Sequence, residues 1–129
     1  MNSKTLQNAA LLGGAVYLFL VSAAHFFQIK VPVLFIYFDV PSNVYQDRII
    51  AAVSFALAVF LLGCFRTRES SPGMIRYALR AGTGLALILA ANNALAEDAL
   101  RLNPVYWGGI AFVCVYVALL HYAFRSSRC

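Results

Sequence analysis

Apolar residues along this chain fall into four blocks that short polar stretches separate. The uncharged stretches, free of Asp, Glu, Lys and Arg, are residues 9–27, 49–65, 81–96 and 105–124. A helix needs about 20 mostly apolar residues to cross the hydrocarbon core of a bilayer. The pattern therefore predicts an all-α fold, an integral membrane bundle of four transmembrane helices at about residues 6–28, 43–65, 74–97 and 104–125.

Composition supports a membrane protein. Of the 129 residues, 62% are hydrophobic and 12% are charged, whereas soluble domains carry about 25% charged residues. Little chain remains outside the four blocks, so we expect one four-helix transmembrane domain over residues 1–129. The first block could instead be a cleaved signal peptide, but it is longer than a usual apolar core and ends in HFFQIK, not in small residues. A retained helix is the favoured interpretation.

The charges predict an orientation. Four spans place both termini on one side of the membrane, and that side would carry seven of the ten basic residues with a single acid, Glu69. Because basic residues concentrate in cytoplasmic loops, we expect both termini in the cytoplasm, in a bacterial inner membrane. The arginines flank helix ends and do not form a run, so the net charge of +5 indicates topology and no nucleic-acid partner is predicted.

The segment 31–41 is apolar yet too short to span a bilayer. Eight of its eleven residues are apolar, and two prolines disfavour a continuous helix. Its aromatic rings prefer a membrane interface or a partner surface. We therefore predict a long hydrophobic loop between helices one and two on the exported side, with Ser42 or Asn43 capping the next helix. The candidate docking residues are Phe35, Tyr37, Phe38 and Asp39.

Polar residues collect at the exported helix ends. His25 and Gln28 share a face of helix one, and Asn93, Glu97 and Arg101 recur every four residues on helix three. Polar side chains are costly at membrane depth, so they usually face a partner or a wet cavity. The candidate polar cluster comprises His25, Gln28, Asp47, Asn92, Asn93, Glu97, Asp98 and Arg101.

Three interpretations of this cluster remain open. The first is an interhelical hydrogen-bond network, in which His25 bonds to a helix-three asparagine and Glu97 pairs with Arg101. The second is a binding site for a small polar molecule, a lipid headgroup or a quinone. The third is a metal site on His25, Glu97 and Asp98, or with Asp47, which one histidine among scattered acids supports only weakly.

The motifs identify neither a catalytic class nor a cofactor, so whether the protein uses a cofactor stays unknown from the sequence. The sequence contains no nucleophile elbow, Walker loop, H-E-x-x-H or dinucleotide fingerprint. The leading hypothesis is a non-enzymatic accessory or structural membrane subunit that docks a partner through the segment 31–41, in a larger membrane complex or as a homo-oligomer. One alternative is a small oligomeric carrier for an ion or polar molecule, with the polar cluster along its path. Another is an outer-leaflet lipid- or quinone-handling enzyme, with His25 as general base and Glu97 or Asp98 as its partner.

Overall fold

The computed structural model of the chain describes residues 2–32, 34–35, 41–96 and 102–126. Within these residues the fold consists of four helices: α1 (Ser3–Phe26), α2 (Val44–Arg66), α3 (Gly73–Ala94) and α4 (Pro104–Ser126). Each is long and apolar enough to cross a membrane. The prediction of four helices of this kind is confirmed, and every helix end lies within three residues of its predicted position.

Asparagine side chains mark the start of three helices. The side-chain oxygen of Asn2 accepts a hydrogen bond from the Lys4 amide, at 3.3 Å, and Asn43 accepts one from the Tyr45 amide, at 2.9 Å. Asn103 caps α4 in the same way. Each cap satisfies an amide that has no partner inside the helix. The sequence-based expectation of a cap at Ser42 or Asn43 is therefore confirmed for Asn43.

The helices pack as a ring in chain order. Contacts are most extensive between α1 and α2, continue between α3 and α4 and between α1 and α4, and are sparsest between α2 and α3. This order places α1 diagonally opposite α3. The Ser22 hydroxyl joins the first pair by donating to the Ala51 carbonyl at 2.8 Å. The four-helix bundle is thus tight along α1 and α2 and loose along the α2–α3 seam.

A glycine permits the close approach of α1 to α4. The Tyr116 hydroxyl of α4 donates to the Ala10 carbonyl of α1 at 3.0 Å. It reaches that carbonyl across Gly14, where an added Cβ would lie 2.1 Å from the hydroxyl oxygen. Small residues at helix contacts allow this kind of approach in membrane bundles. Only glycine fits at position 14 without moving the tyrosine.

Large apolar side chains cover the outside of the bundle. Leu20, Leu87, Ile88 and Val115 are each more than half exposed to the space around the helices. A bilayer supplies apolar surroundings for such residues, whereas water would make them costly. The exposure of large apolar side chains on the outside of the bundle agrees with helices that face lipid.

The connection between α1 and α2 folds against the bundle where the structure describes it. The amides of Leu34 and Phe35 both donate to the Val31 carbonyl, at 3.1 and 2.8 Å, and so form a turn. Phe35 is only 3% exposed. The structure does not support the predicted long loop as a feature, and the middle of the segment, residues 36–40, lies outside the described residues.

Candidate functional site

A buried carboxylate organises the end of the bundle opposite the termini. Asp47, in the first turns of α2, is 1% exposed. One of its oxygens, Oδ1, accepts from Nδ1 of His25 at 3.2 Å. The other, Oδ2, accepts from the Gln28 amide at 2.7 Å and from the Ser42 hydroxyl at 2.6 Å. We call His25, Gln28, Ser42 and Asp47 the outer cluster.

The end of α1 delivers two members of this cluster through a local backbone motif. Gln28 adopts the left-handed conformation with φ of 60°. The Ile29 amide donates to the Ala24 carbonyl at 2.8 Å and the Gln28 amide to the His25 carbonyl at 3.4 Å. These two bonds form a Schellman motif, whose left-handed position is usually glycine. A glutamine there accepts backbone strain, and its side chain reaches Asp47 and the His25 carbonyl.

An aromatic ring covers His25. The Phe35 ring stacks on the imidazole with 3.6 Å between centroids and 20° between planes. His25 is in consequence 7% exposed, although it lies in the last turn of α1. The stack removes the face of the imidazole from water and brings the 31–35 turn into contact with the outer cluster. Buried polar groups need partners, and here Asp47 supplies the partner of His25.

The His25–Asp47 hydrogen bond defines the tautomer of the imidazole. A carboxylate only accepts hydrogen bonds, so Nδ1 of His25 carries the proton. In the neutral ring Nε2 is then the acceptor nitrogen. A histidine oriented in this way by a carboxylate can take up a proton at Nε2 or hold a donor group there. The same bond also ties the end of α1 to the start of α2.

The structure brings three of the predicted cluster residues together: His25, Gln28 and Asp47. One of the three interpretations paired His25 with an asparagine of α3, but the structure pairs it with Asp47 of α2, because α1 and α3 are diagonal in the ring. Asn92 lies on the exposed side of α3. Asn93 is fully buried, and within the described part of the chain neither of its side-chain atoms has a hydrogen-bond partner.

Three other predicted members, Glu97, Asp98 and Arg101, lie outside the described residues. Their pairing, and any metal site that uses them with His25, stays a prediction. Among the described residues no group of three or more His, Cys, Asp or Glu side chains is close enough to hold a metal ion. The outer cluster itself contains one histidine and one carboxylate.

The docking prediction changes at one residue. Phe35 was expected to meet a partner, but the structure buries its ring on His25, so this side chain is occupied within the chain. Tyr37, Phe38 and Asp39 lie outside the described residues, and their docking role stays a prediction.

Sequence reasoning missed Ser42 as a ligand of the carboxylate. It placed Ser42 as a possible helix cap, a role that Asn43 takes instead. The spacing offered a usable indication, because a side chain just before a helix lies beside the side chains of its first turn. Asp47 is in that first turn, so a serine five residues earlier can reach it.

Four apolar helices in one ring define the class of this chain as an all-helical integral membrane protein. Comparison with known protein families, characterised proteins and solved structures found no match. Any function therefore has to be argued from its own residues.

Proposed function

We propose that this chain is a non-enzymatic accessory or structural subunit of the membrane, and that it presents the segment 36–40 to a membrane partner. The observation that carries the proposal is the pair His25–Asp47, which contacts both flanks of that segment. Phe35 precedes the segment and stacks on the imidazole, and Ser42 follows it and bonds to the carboxylate. The described residues on either side of the segment thus contact one buried pair.

The chemistry of the segment suits recognition by an apolar partner. Its sequence is IYFDV, with two adjacent aromatic rings and a single carboxylate. Aromatic residues dominate the energetically important contacts of protein interfaces. Fixing both flanks in advance lowers the entropy that an unanchored segment would lose on binding. The outer cluster supports docking by restraining these flanks.

The charge distribution supports an orientation for this arrangement. We propose that the protein lies in a bacterial inner membrane with both termini on the cytoplasmic side, because seven of the ten basic residues fall on the side of the termini. The connection between α1 and α2, with its hydrophobic residues 31–41, is then on the exported side. The partner that the segment meets there is another integral membrane polypeptide or a second copy of this chain.

The test is native mass spectrometry of the protein purified from its own membrane in a mild detergent. The proposal predicts a second polypeptide, or a second copy, in fixed stoichiometry. Replacing both rings of the segment by Tyr37→Ser and Phe38→Ser should release it. A matched control is Tyr45→Ser, because Tyr45 lies on the same side and is 71% exposed but is outside the segment.

Two results would overturn the proposal. One is a monomer that carries no second polypeptide in any mild detergent. The other is a partner that remains bound to the doubly substituted segment while Tyr45→Ser releases it. The second result would place the interface on α2 and leave the outer cluster as internal support only.

The same histidine favours a second candidate, an outer-leaflet enzyme or binding protein for a lipid or quinone. The hydrogen bond from Nδ1 of His25 to Asp47 is within the range that a general base needs to be oriented, about 2.6–3.2 Å. Asp47 takes the place that the sequence analysis gave to Glu97 or Asp98. The carrier alternative gains no such observation, because the crevice between the four helices, whose lining includes Leu18, Leu57 and Val113, is largely apolar.

His25→Asn separates this candidate from the first. An asparagine amide retains a donor near the position of Nδ1, so it can still bond to Asp47, but it has no basic nitrogen. Lipid analysis of reconstituted vesicles measures the outcome. Loss of lipid conversion with the partner still bound favours the enzyme, and unchanged vesicle lipids with a bound partner favour the docking subunit.

A further inference from the structure

An apolar crevice lies between the helices of the bundle. Its volume is about 280 Å³, and all four helices line it. Leu57 of α2 and Leu85 of α3 line it at the sparse α2–α3 seam. Gly13 and Gly82 contribute to its wall, and an added Cβ at Gly13 would meet nothing within 4 Å. Apolar cavities of about 150 Å³ already bind small apolar molecules.

A second cavity, of about 430 Å³, lies at the end of the bundle that carries the termini. Its polar lining includes Lys4 of α1 and Arg68 of the α2–α3 turn, with Glu69 as the one acid in the lining. The Arg68 guanidinium lies 4.4 Å from the centroid of the Phe65 ring and donates to the Phe65 carbonyl. Since a guanidinium has five N–H donors, Arg68 retains donors that could bind an anion.

The two cavities follow one another along the same two helices. On α1 the basic pocket reaches Asn8 and the apolar crevice begins at Ala9. On α4 the pocket reaches Phe124 and the crevice reaches Leu120, one turn away. A basic pocket at the membrane surface therefore precedes an apolar crevice at membrane depth. That order matches the order of groups in a phospholipid.

We infer that these cavities form a binding site for an anionic membrane lipid, with its phosphate at Lys4 and Arg68 and an acyl chain in the crevice. Basic pockets between transmembrane helices on the cytoplasmic side bind such headgroups. Two further exposed arginines, Arg66 and Arg76, lie near the same end of the bundle without lining the pocket. The occupant is a lipid and not a soluble anion, because the crevice extends into the part of the bundle that the bilayer surrounds.

The experiment is native mass spectrometry of the full chain in mild detergent with added lipids of identical acyl chains. Phosphatidylglycerol is the anionic probe and phosphatidylcholine the zwitterionic one. Each basic residue near an anionic headgroup tightens binding about fivefold, so two basic residues together tighten it roughly 30-fold. We therefore expect phosphatidylglycerol to bind roughly 30-fold more tightly than phosphatidylcholine.

Headgroup variants test the polar half of the site. Lys4→Gln with Arg68→Gln should remove the preference for phosphatidylglycerol. Arg76→Gln is the matched control, because Arg76 is exposed at the same end but does not line the pocket. Glu69→Gln should raise the affinity for phosphatidylglycerol about fivefold, since it removes the acid beside the phosphate.

Crevice variants test the apolar half. Gly13→Leu fills open space in the crevice and should weaken both lipids equally. Gly84→Leu is its control, because position 84 is equally open but outside the crevice. Ala81→Leu, also in the lining, provides a second filling variant if Gly13→Leu does not fold by circular dichroism.

Several results would overturn the inference. Equal binding of the two lipids would remove the anion site. An equal loss in Arg76→Gln and in the double variant would mean diffuse attraction to the surface. Competition by soluble glycerol phosphate at the same concentration as the lipid would mean a free-phosphate site. A dimer mass that Gly13→Leu abolishes would mean that a second copy of the chain fills the crevice.

Discussion

The two ends of the bundle differ in whether their polar side chains are closed in by partners within the chain or line an open pocket. At the end opposite the termini, Asp47 accepts three hydrogen bonds and Phe35 covers His25, so the outer cluster is closed. At the end with the termini, basic side chains line an open pocket next to an apolar crevice. A closed polar network holds a structure together, whereas open space with unbalanced charge can receive a ligand. The comparison suggests that polarity alone does not distinguish a binding site.

The largest expected change in stability comes from a substitution in the outer cluster. Asp47→Ala leaves three donors without their acceptor, and we expect it to lower the free energy of unfolding by about 3 kcal/mol. Thermal unfolding in detergent, followed by circular dichroism, measures the loss. Glu69→Ala at the open end is the control and should change the free energy of unfolding by less than about 0.5 kcal/mol. A similar small change in Asp47→Ala would mean that the outer cluster does not stabilise the fold.

Two neighbouring glycines should respond in opposite directions. In Gly14→Ala the new methyl group collides with the Tyr116 hydroxyl, and the hydrogen bond to Ala10 is lost when the ring moves. We expect a loss of about 1–3 kcal/mol in the free energy of unfolding. Gly13→Ala meets open space and should stabilise the helix by up to about 1 kcal/mol. The same unfolding assay compares them, and equal effects would contradict the packing of α1 against α4.

The smallest effect concerns a buried side-chain amide of α3. Asn93→Leu replaces a fully buried side chain whose polar atoms have no partner within the described residues. Removing an unsatisfied buried polar group should raise the free energy of unfolding by about 1 kcal/mol. Unfolding in detergent again gives the measurement. A loss of stability would instead indicate that the Asn93 amide binds a group beyond those residues.

Much of the fold could be predicted from the sequence. Apolar blocks long enough to span a bilayer define four helices, and asparagine and proline residues mark two of their starts closely: α2 begins after Asn43 and α4 begins at Pro104. Helix existence depends on local composition, which a sequence displays directly. The order of the helices around the ring cannot be read from local composition, because it depends on which helix faces pack against each other.

Three of the four residues of the outer cluster were among the predicted polar residues, but their pairing was not predicted and Ser42 was missed. His25, Gln28 and Asp47 attract attention as polar residues near membrane depth. One interpretation joined His25 to α3, yet α1 packs most extensively on α2, and Asp47 of α2 lies at the same end of the bundle as His25. The burial of Phe35 depends on a stack across the connection, and no periodicity in a short non-helical segment indicates it.

The central claim is that the His25–Asp47 pair holds the flanks of the segment 36–40. Hydrogen–deuterium exchange of the 29–35 peptide tests it most directly, because the Phe35 amide is bonded to Val31 in the folded turn. We expect this peptide to be protected in the native chain and to lose protection in Asp47→Asn, while peptides of α4 stay protected. Equal protection of the 29–35 peptide in both proteins would contradict the claim.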